Sequence, residues 1–134
     1  MGPEGKLYQK LRKKSSGIRW TRIENLSSLG CPDLLGYNAF GNFFTVELKV
    51  TRGNKVRFSP HQIAFHKSHP KNTFILVEAL GQRSSKHVQG TCSMYRGSSI
   101  ESLLREGLKL EAWSLGLEAC CLKLSKLGSR TGSR

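Results

Sequence analysis

Pro32-Asp33 and, further along the chain, Glu47-Leu48-Lys49 supply two carboxylates and one amine where a divalent cation and a phosphodiester could meet. Asp33 is the only aspartate among 22 Lys and Arg and 9 Asp and Glu, and Glu47 interrupts an apolar run. Oxygen donors without sulfur or imidazole favour a hard ion, Mg²⁺ with Mn²⁺ as a substitute. An amine beside such an ion stabilises charge that develops on a phosphate oxygen, or orients an attacking water. The plain alternative for Glu47 and Lys49 is an exposed strand ion pair, which contributes little.

The elements that must carry these residues follow from the pattern. Side chains alternate along Phe43-Phe44-Thr45-Val46-Glu47-Leu48-Lys49-Val50, so Phe44, Val46, Leu48 and Val50 make an apolar face. Phe43, Thr45, Glu47 and Lys49 share the other, and the acid and the amine are expected to emerge side by side at the strand's end. Cys31 to Tyr37 reads as the preceding strand, and Asn38-Ala39-Phe40-Gly41-Asn42 as a hairpin loop that brings Asp33 near Glu47. Pro3 to Lys14 is expected to be a helix with Glu4 on its inward face, where a carboxylate needs a partner; the simpler reading leaves Glu4 wet at the positive end of the helix dipole. Ser59-Pro60-His61-Gln62 opens another helix as a capping box, which by itself explains Gln62.

These residues resemble the PD-(D/E)xK nucleases, through Pro32-Asp33 and Glu47-Leu48-Lys49, with Glu4 on the first helix and Gln62 on the helix after the core strand as further counterparts. Gly30-Cys31-Pro32-Asp33-Leu34 is similar to the pattern of small stand-alone VRR-NUC nucleases of viruses, and Glu47-Leu48-Lys49-Val50-Thr51 to that of archaeal Holliday-junction resolvases. The resemblance covers residues 4 to 80. It implies an α/β fold with a restriction-endonuclease-like core, a mixed central β-sheet flanked by helices in the order αβββαβ. It also implies a metal held by Asp33, Glu47 and the Leu48 backbone carbonyl, with Glu4 acting through a water or a second ion. Lys49 is then catalytic, and Gln62 helps to hold the first helix or the attacking water. The implied activity is Mg²⁺-dependent cleavage of DNA, with a viral role in replication or recombination inside a host cell.

Composition agrees with a polyanionic partner. The formal net charge of +13 suits DNA, although solubility or a basic tail would also use it. Lys10, Arg12, Lys13, Lys14, Arg22, Arg52, Lys55 and Arg57 are the candidate phosphate contacts, and for each the ordinary reading is solvated surface charge. A basic chain of 134 residues without a base-reading domain is expected to select branched or junction DNA by shape, and to do so as a homodimer. The alternatives are a nuclease without junction preference and a non-catalytic nucleic-acid-binding protein on the same fold.

Cys31, Cys92, Cys120 and Cys121 have no CxxC spacing, which disfavours a zinc ribbon or a disulfide framework and fits a reduced, cytoplasmic setting. His66 and His69, without a third ligand, read as surface residues. The charged N-terminus lacks a signal-peptide core, and no apolar stretch is long enough for a membrane span.

The remaining expectations are structural. Ile18 to Leu26 is the first strand, and Ser27-Ser28-Leu29-Gly30 a loop leading to Asp33. Asn72 to Leu80 is a buried strand in the middle of the sheet. Gln82 to His87 is a polar connection, Thr91 to Tyr95 an edge strand, Ile100 to Glu106 a short helix, and Leu108 to Leu127 a helix that caps the core or meets a second subunit. Residues 1–127 then form one domain, with 81–127 an addition to the core and 128–134 a flexible basic tail.

Overall fold

The structure is a computed structural model that describes residues 2–23, 29–81 and 90–129. Its elements run α1 (Pro3–Lys14), β1 (Arg19–Arg22), β2 (Leu34–Tyr37), β3 (Phe43–Thr51), α2 (Pro60–Ser68), β4 (Thr73–Ala79), β5 (Thr91–Arg96), α3 (Ile100–Glu106), β6 (Ser114–Leu115) and α4 (Leu117–Ser125). The strands form a mixed six-stranded sheet in the order β1-β2-β3-β4-β5-β6. All pairs are antiparallel except β3–β4, whose parallel pairing needs the α2 crossover. This is the mixed α/β architecture expected, with αβββαβ as its first six elements.

The period-2 alternation of the strands divides the core in two. On one face Leu7 and Leu11 of α1 pack with Leu34, Val46, Leu48, Leu76, Met94 and, from α4, Cys120, Cys121 and Leu124. On the other, Ile75, Val77 and Tyr95 meet Val56, Ile100 and Leu103. Leu7 and Leu11 are fully buried, each contributing about 1.5–3 kcal/mol relative to exposure, and they fix α1 across the sheet.

Several boundaries differ from expectation for identifiable reasons. β1 covers Arg19–Arg22, shorter than 18–26, and residues 24–28, with Ser27 and Ser28 of the expected loop, lie outside the described residues. β2 begins at Leu34 rather than Cys31, because Pro32 has no N–H for the ladder. β5 is not an edge, since β6 pairs with it through Ser93↔Leu115 and Met94↔Ser114. Residues 108–127 are not one helix: Gly116, at φ 87, separates β6 from α4. Of the expected tail, Ser129 is buried and Gly128 lies against Asn42, while 130–134 fall outside the described residues, as do 82–89. All four cysteines are free, and among the described residues no helix is long and apolar enough to cross a membrane.

Candidate active site

The β2–β3 hairpin does the central positioning. Asn38 organises its loop by accepting from the Phe40 and Asn42 N–H groups, and anchors it to α4 by donating to the Leu124 and Leu127 carbonyls. The register pairs Leu34 with Val46, so its continuation sets Asp33 opposite Glu47 and Pro32 opposite Leu48. Pro32 has no N–H, and the ladder stops. Asp33 Oδ2 takes the place of the next rung by accepting from the Leu48 N–H at 2.7 Å.

The N–H and C=O of one strand residue project to the same side. Thr45 N–H reaches Asn72 O next to β4, so 45, 47 and 49 turn their backbone groups to β4 and Leu48 turns its own to β2. The Leu48 carbonyl therefore opens beside Asp33 with no N–H from Pro32 to meet it. Gly30 holds the approach: at φ +85 it packs on the start of α2, and a Cβ there would lie 2.3 Å from the His61 carbonyl carbon.

Glu47 does not emerge with Lys49 as its strand parity suggested. It is only 2% exposed, because α2 covers this face of β3. Gln62 Nε2 donates to Glu47 Oε2 at 3.2 Å, while Gln62 Oε1 accepts from Lys49 Nζ at 3.0 Å and from the Ser59 N–H at 3.0 Å. The Ser59 hydroxyl accepts from the Gln62 N–H, completing the expected capping box. Gln62 thus serves the cap and the site at once. Lys49 Nζ also lies 4.9 Å from the Phe58 ring centroid, a cation–π contact.

Burial is the main cause that pushes the Glu47 carboxyl up to about 9, reinforced by the charge of Asp33 and a hydrogen bond with it, opposed by Lys49 and aided by Glu4. Glu4 is a second correction. It is exposed at the first turn of α1 rather than turned inward, although partial burial of its flank, then Asp33, raises its carboxyl against the pull of Lys49. Its position joins two recesses. One, of about 240 Å³, is lined by Glu4, Arg22, Asp33 and Leu48; the other, of about 370 Å³, by Glu4, Lys49, Arg52, Lys55 and Arg57.

The basic candidates separate by location. Arg52, Lys55 and Arg57 border the site. Arg22 and Arg12 stack on the Tyr8 ring, at 5.1 and 5.8 Å from its centroid, and Arg22 also lines the Asp33 recess. Lys10 is tied instead to buried Glu78 at 2.6 Å. Lys13 and Lys14 are exposed at the end of α1.

His66 is the residue that sequence reading missed. It is fully buried, not at the surface, with Nε2 4.0 Å from Glu47 Oε1, whereas His69 is exposed and stacks on Phe65. Burial, with His69 and Lys49 adding, lowers the His66 imidazole to about 4, so it is neutral at physiological pH. The sequence did carry a signal: His66 lies four residues after Gln62, one helical turn further along the same face.

The residues fit a hard cation. Among the described residues no three His, Cys, Asp or Glu side chains are grouped to hold an ion; the oxygen donors near one another here are the carboxylates of Asp33 and Glu47 and the Leu48 carbonyl, and oxygen donors suit a hard cation. Glu47 Oε1 is buried with no hydrogen-bond partner among the described residues, and a carboxylate there needs positive charge to stay ionised.

No family model matches the chain, and no curated protein does. Among solved structures it is similar to Hjc of Archaeoglobus fulgidus, a Holliday junction resolvase from an archaeal hyperthermophile. That likeness has a TM-score of 0.42 and 16% identity, over 69% of this chain and 72% of the other.

Proposed function

We propose that the protein is a metal-dependent endonuclease that hydrolyses phosphodiester bonds in DNA and favours branched substrates such as four-way junctions. The observation that carries this reading is the convergence of Lys49, Gln62 and Glu47, joined by hydrogen bonds, with Asp33, which accepts from the Leu48 N–H beside the Leu48 carbonyl. Asp33, Glu47 and that carbonyl would hold Mg²⁺ or Mn²⁺, with Glu4 serving through a water or a second ion. Such an ion supplies Lewis acidity at the phosphoryl oxygen and lowers the pKa of water.

The chain's own groups do the rest. Lys49, steadied by Gln62, orients the attacking water and stabilises negative charge as it develops on phosphate oxygen. Glu4, at the junction of the two recesses, accepts a hydrogen bond from water entering the site. Arg52, Lys55 and Arg57 hold the phosphate backbone, and contacts of that kind carry no base information, so selection falls to DNA shape. The preference for branched DNA, the viral setting and a homodimer presenting two such sites belong to this same proposal.

One observation favours a non-catalytic DNA-binding protein instead: Glu47 is buried, and that burial pushes its carboxyl up to about 9. Cleavage of a four-way junction and of a matched linear duplex, with Mg²⁺ or with chelator, by wild type and Asp33→Asn, separates the readings. The nuclease cuts only with metal, and Asp33→Asn does not cut. DNA binding without cutting of either substrate by wild type leaves the binder, and equal cutting of both substrates removes the junction preference.

A further inference from the structure

Four buried side-chain atoms lack hydrogen-bond partners among the described residues: Thr45 Oγ1, Glu47 Oε1, His66 Nδ1 and His66 Nε2. They belong to one locality. Thr45 and Glu47 are two apart on β3 and so share a face, and His66 lies over Glu47 from α2. An orphaned buried polar atom is rare, so four together mark a polar site rather than a scatter of defects.

The gap between His66 Nε2 and Glu47 Oε1, 4.0 Å, is too long for a direct hydrogen bond. Two ordinary hydrogen bonds of about 2.8 Å that meet at roughly 90° span it. A polar interior that offers two to four partners is where a water is retained.

We propose that His66 is a positioning residue, holding the inner oxygen of Glu47 through one buried water that Thr45 Oγ1 also contacts. Imidazole suits the part, because its ring nitrogens can hydrogen-bond to water. Gln62 fixes Glu47 Oε2 from the same helix, one turn earlier. Both oxygens are then held by α2, and Glu47 faces Asp33 in a single rotamer. Gly97 makes room for the ring, since a Cβ there would sit 2.6 Å from His66 Nδ1.

This inference rests on Asp33 and Glu47 forming a cation site, but its test does not need catalysis. Mn²⁺ affinity is measured by calorimetry for wild type, His66→Phe, His66→Gln and Thr45→Val, alongside thermal melting and, on junction DNA, kcat and KM. Outer-sphere partners of metal ligands typically contribute about 10–100-fold in affinity or activity, and His66→Phe is expected to lose Mn²⁺ affinity and kcat in that range with KM little changed. His66→Gln, which keeps a polar end, recovers most of the loss, and Thr45→Val shows a smaller loss in a folded protein. Wild-type affinity in His66→Phe overturns the proposal, as does a loss that His66→Gln shares in proportion to a lowered melting temperature. Mn²⁺ binding without cleavage by wild type removes the nuclease reading alone, and the positioning role is then decided by affinity. No Mn²⁺ binding by wild type removes both.

Discussion

Asp33 Oδ2 receives the Leu48 N–H at 2.7 Å at the point where β2 gives out, so a single carboxylate completes the sheet and borders the proposed cation site. The two duties are separable. Asp33→Asn keeps a carbonyl oxygen to accept the N–H, and is expected to melt near wild type while losing Mn²⁺ binding and cleavage. Asp33→Ala strands the N–H as well, lowering stability by about 1–3 kcal/mol in denaturant titrations.

Gln62 couples the start of α2 to the site, so Gln62→Leu is expected to act on both. Loss of half the capping box and of the bridge between Glu47 and Lys49 should lower stability by about 1–2 kcal/mol. Cleavage should fall through kcat, as Lys49 loses its fixed position. A stability loss with unchanged kcat would reduce Gln62 to a cap.

Stability of the metal-free protein should depend on pH in two windows of opposite sign. Glu47 is raised to about 9 from an ordinary 4.5, so its contribution is full below about 4.5 and is lost as pH rises toward 9, where only the unfolded chain ionises freely. His66 is lowered to about 4 from 6.5, so its contribution is full above about 6.5 and is lost as pH falls toward 4. Melting temperatures in chelator across pH 4–9 check this: Glu47→Gln should flatten the alkaline limb and His66→Phe the acid limb. Added Mn²⁺ should oppose the alkaline decline, because binding requires the ionised carboxylate.

Lys10 and the loop cations should behave differently. Lys10→Ala leaves buried Glu78 unpaired, and with the lysine half exposed the expected loss is about 1–3 kcal/mol, below the range for fully buried pairs, with little change in DNA affinity. Arg52→Ala or Arg57→Ala should leave stability within about 0.5 kcal/mol. Each should reduce the salt dependence of DNA binding, log Kobs against log salt, by a slope of about 0.9.

How far the sequence foretold the site depends on the kind of signal. α1 and α3 match their expected ranges because helical spacing agrees with the tertiary packing, which buries Leu7 and Leu11 of α1 and Ile100 and Leu103 of α3. The Asn-Gly hairpin and strand alternation set Asp33 opposite Glu47, since register leaves little freedom once one face must be buried. What escaped was depth. Alternation assigns Glu47 to a face and not to a degree of exposure, which depends on α2 crossing above it. The burial of His66 has the same source. Glu4 errs the other way, because helix periodicity assigns it to a face and does not show that this first turn borders two open recesses. β6 escaped because a strand of two residues carries no period at all.

The absent rung opposite Leu48 has one more implication. A proline at position 32 keeps a neighbouring strand from claiming the Leu48 carbonyl, so the sheet is left incomplete at one spot. Any change that let β2 grow two residues toward its N-terminus would heal that gap with an ordinary amide, and the fold would gain regularity by closing the place where an ion could dock.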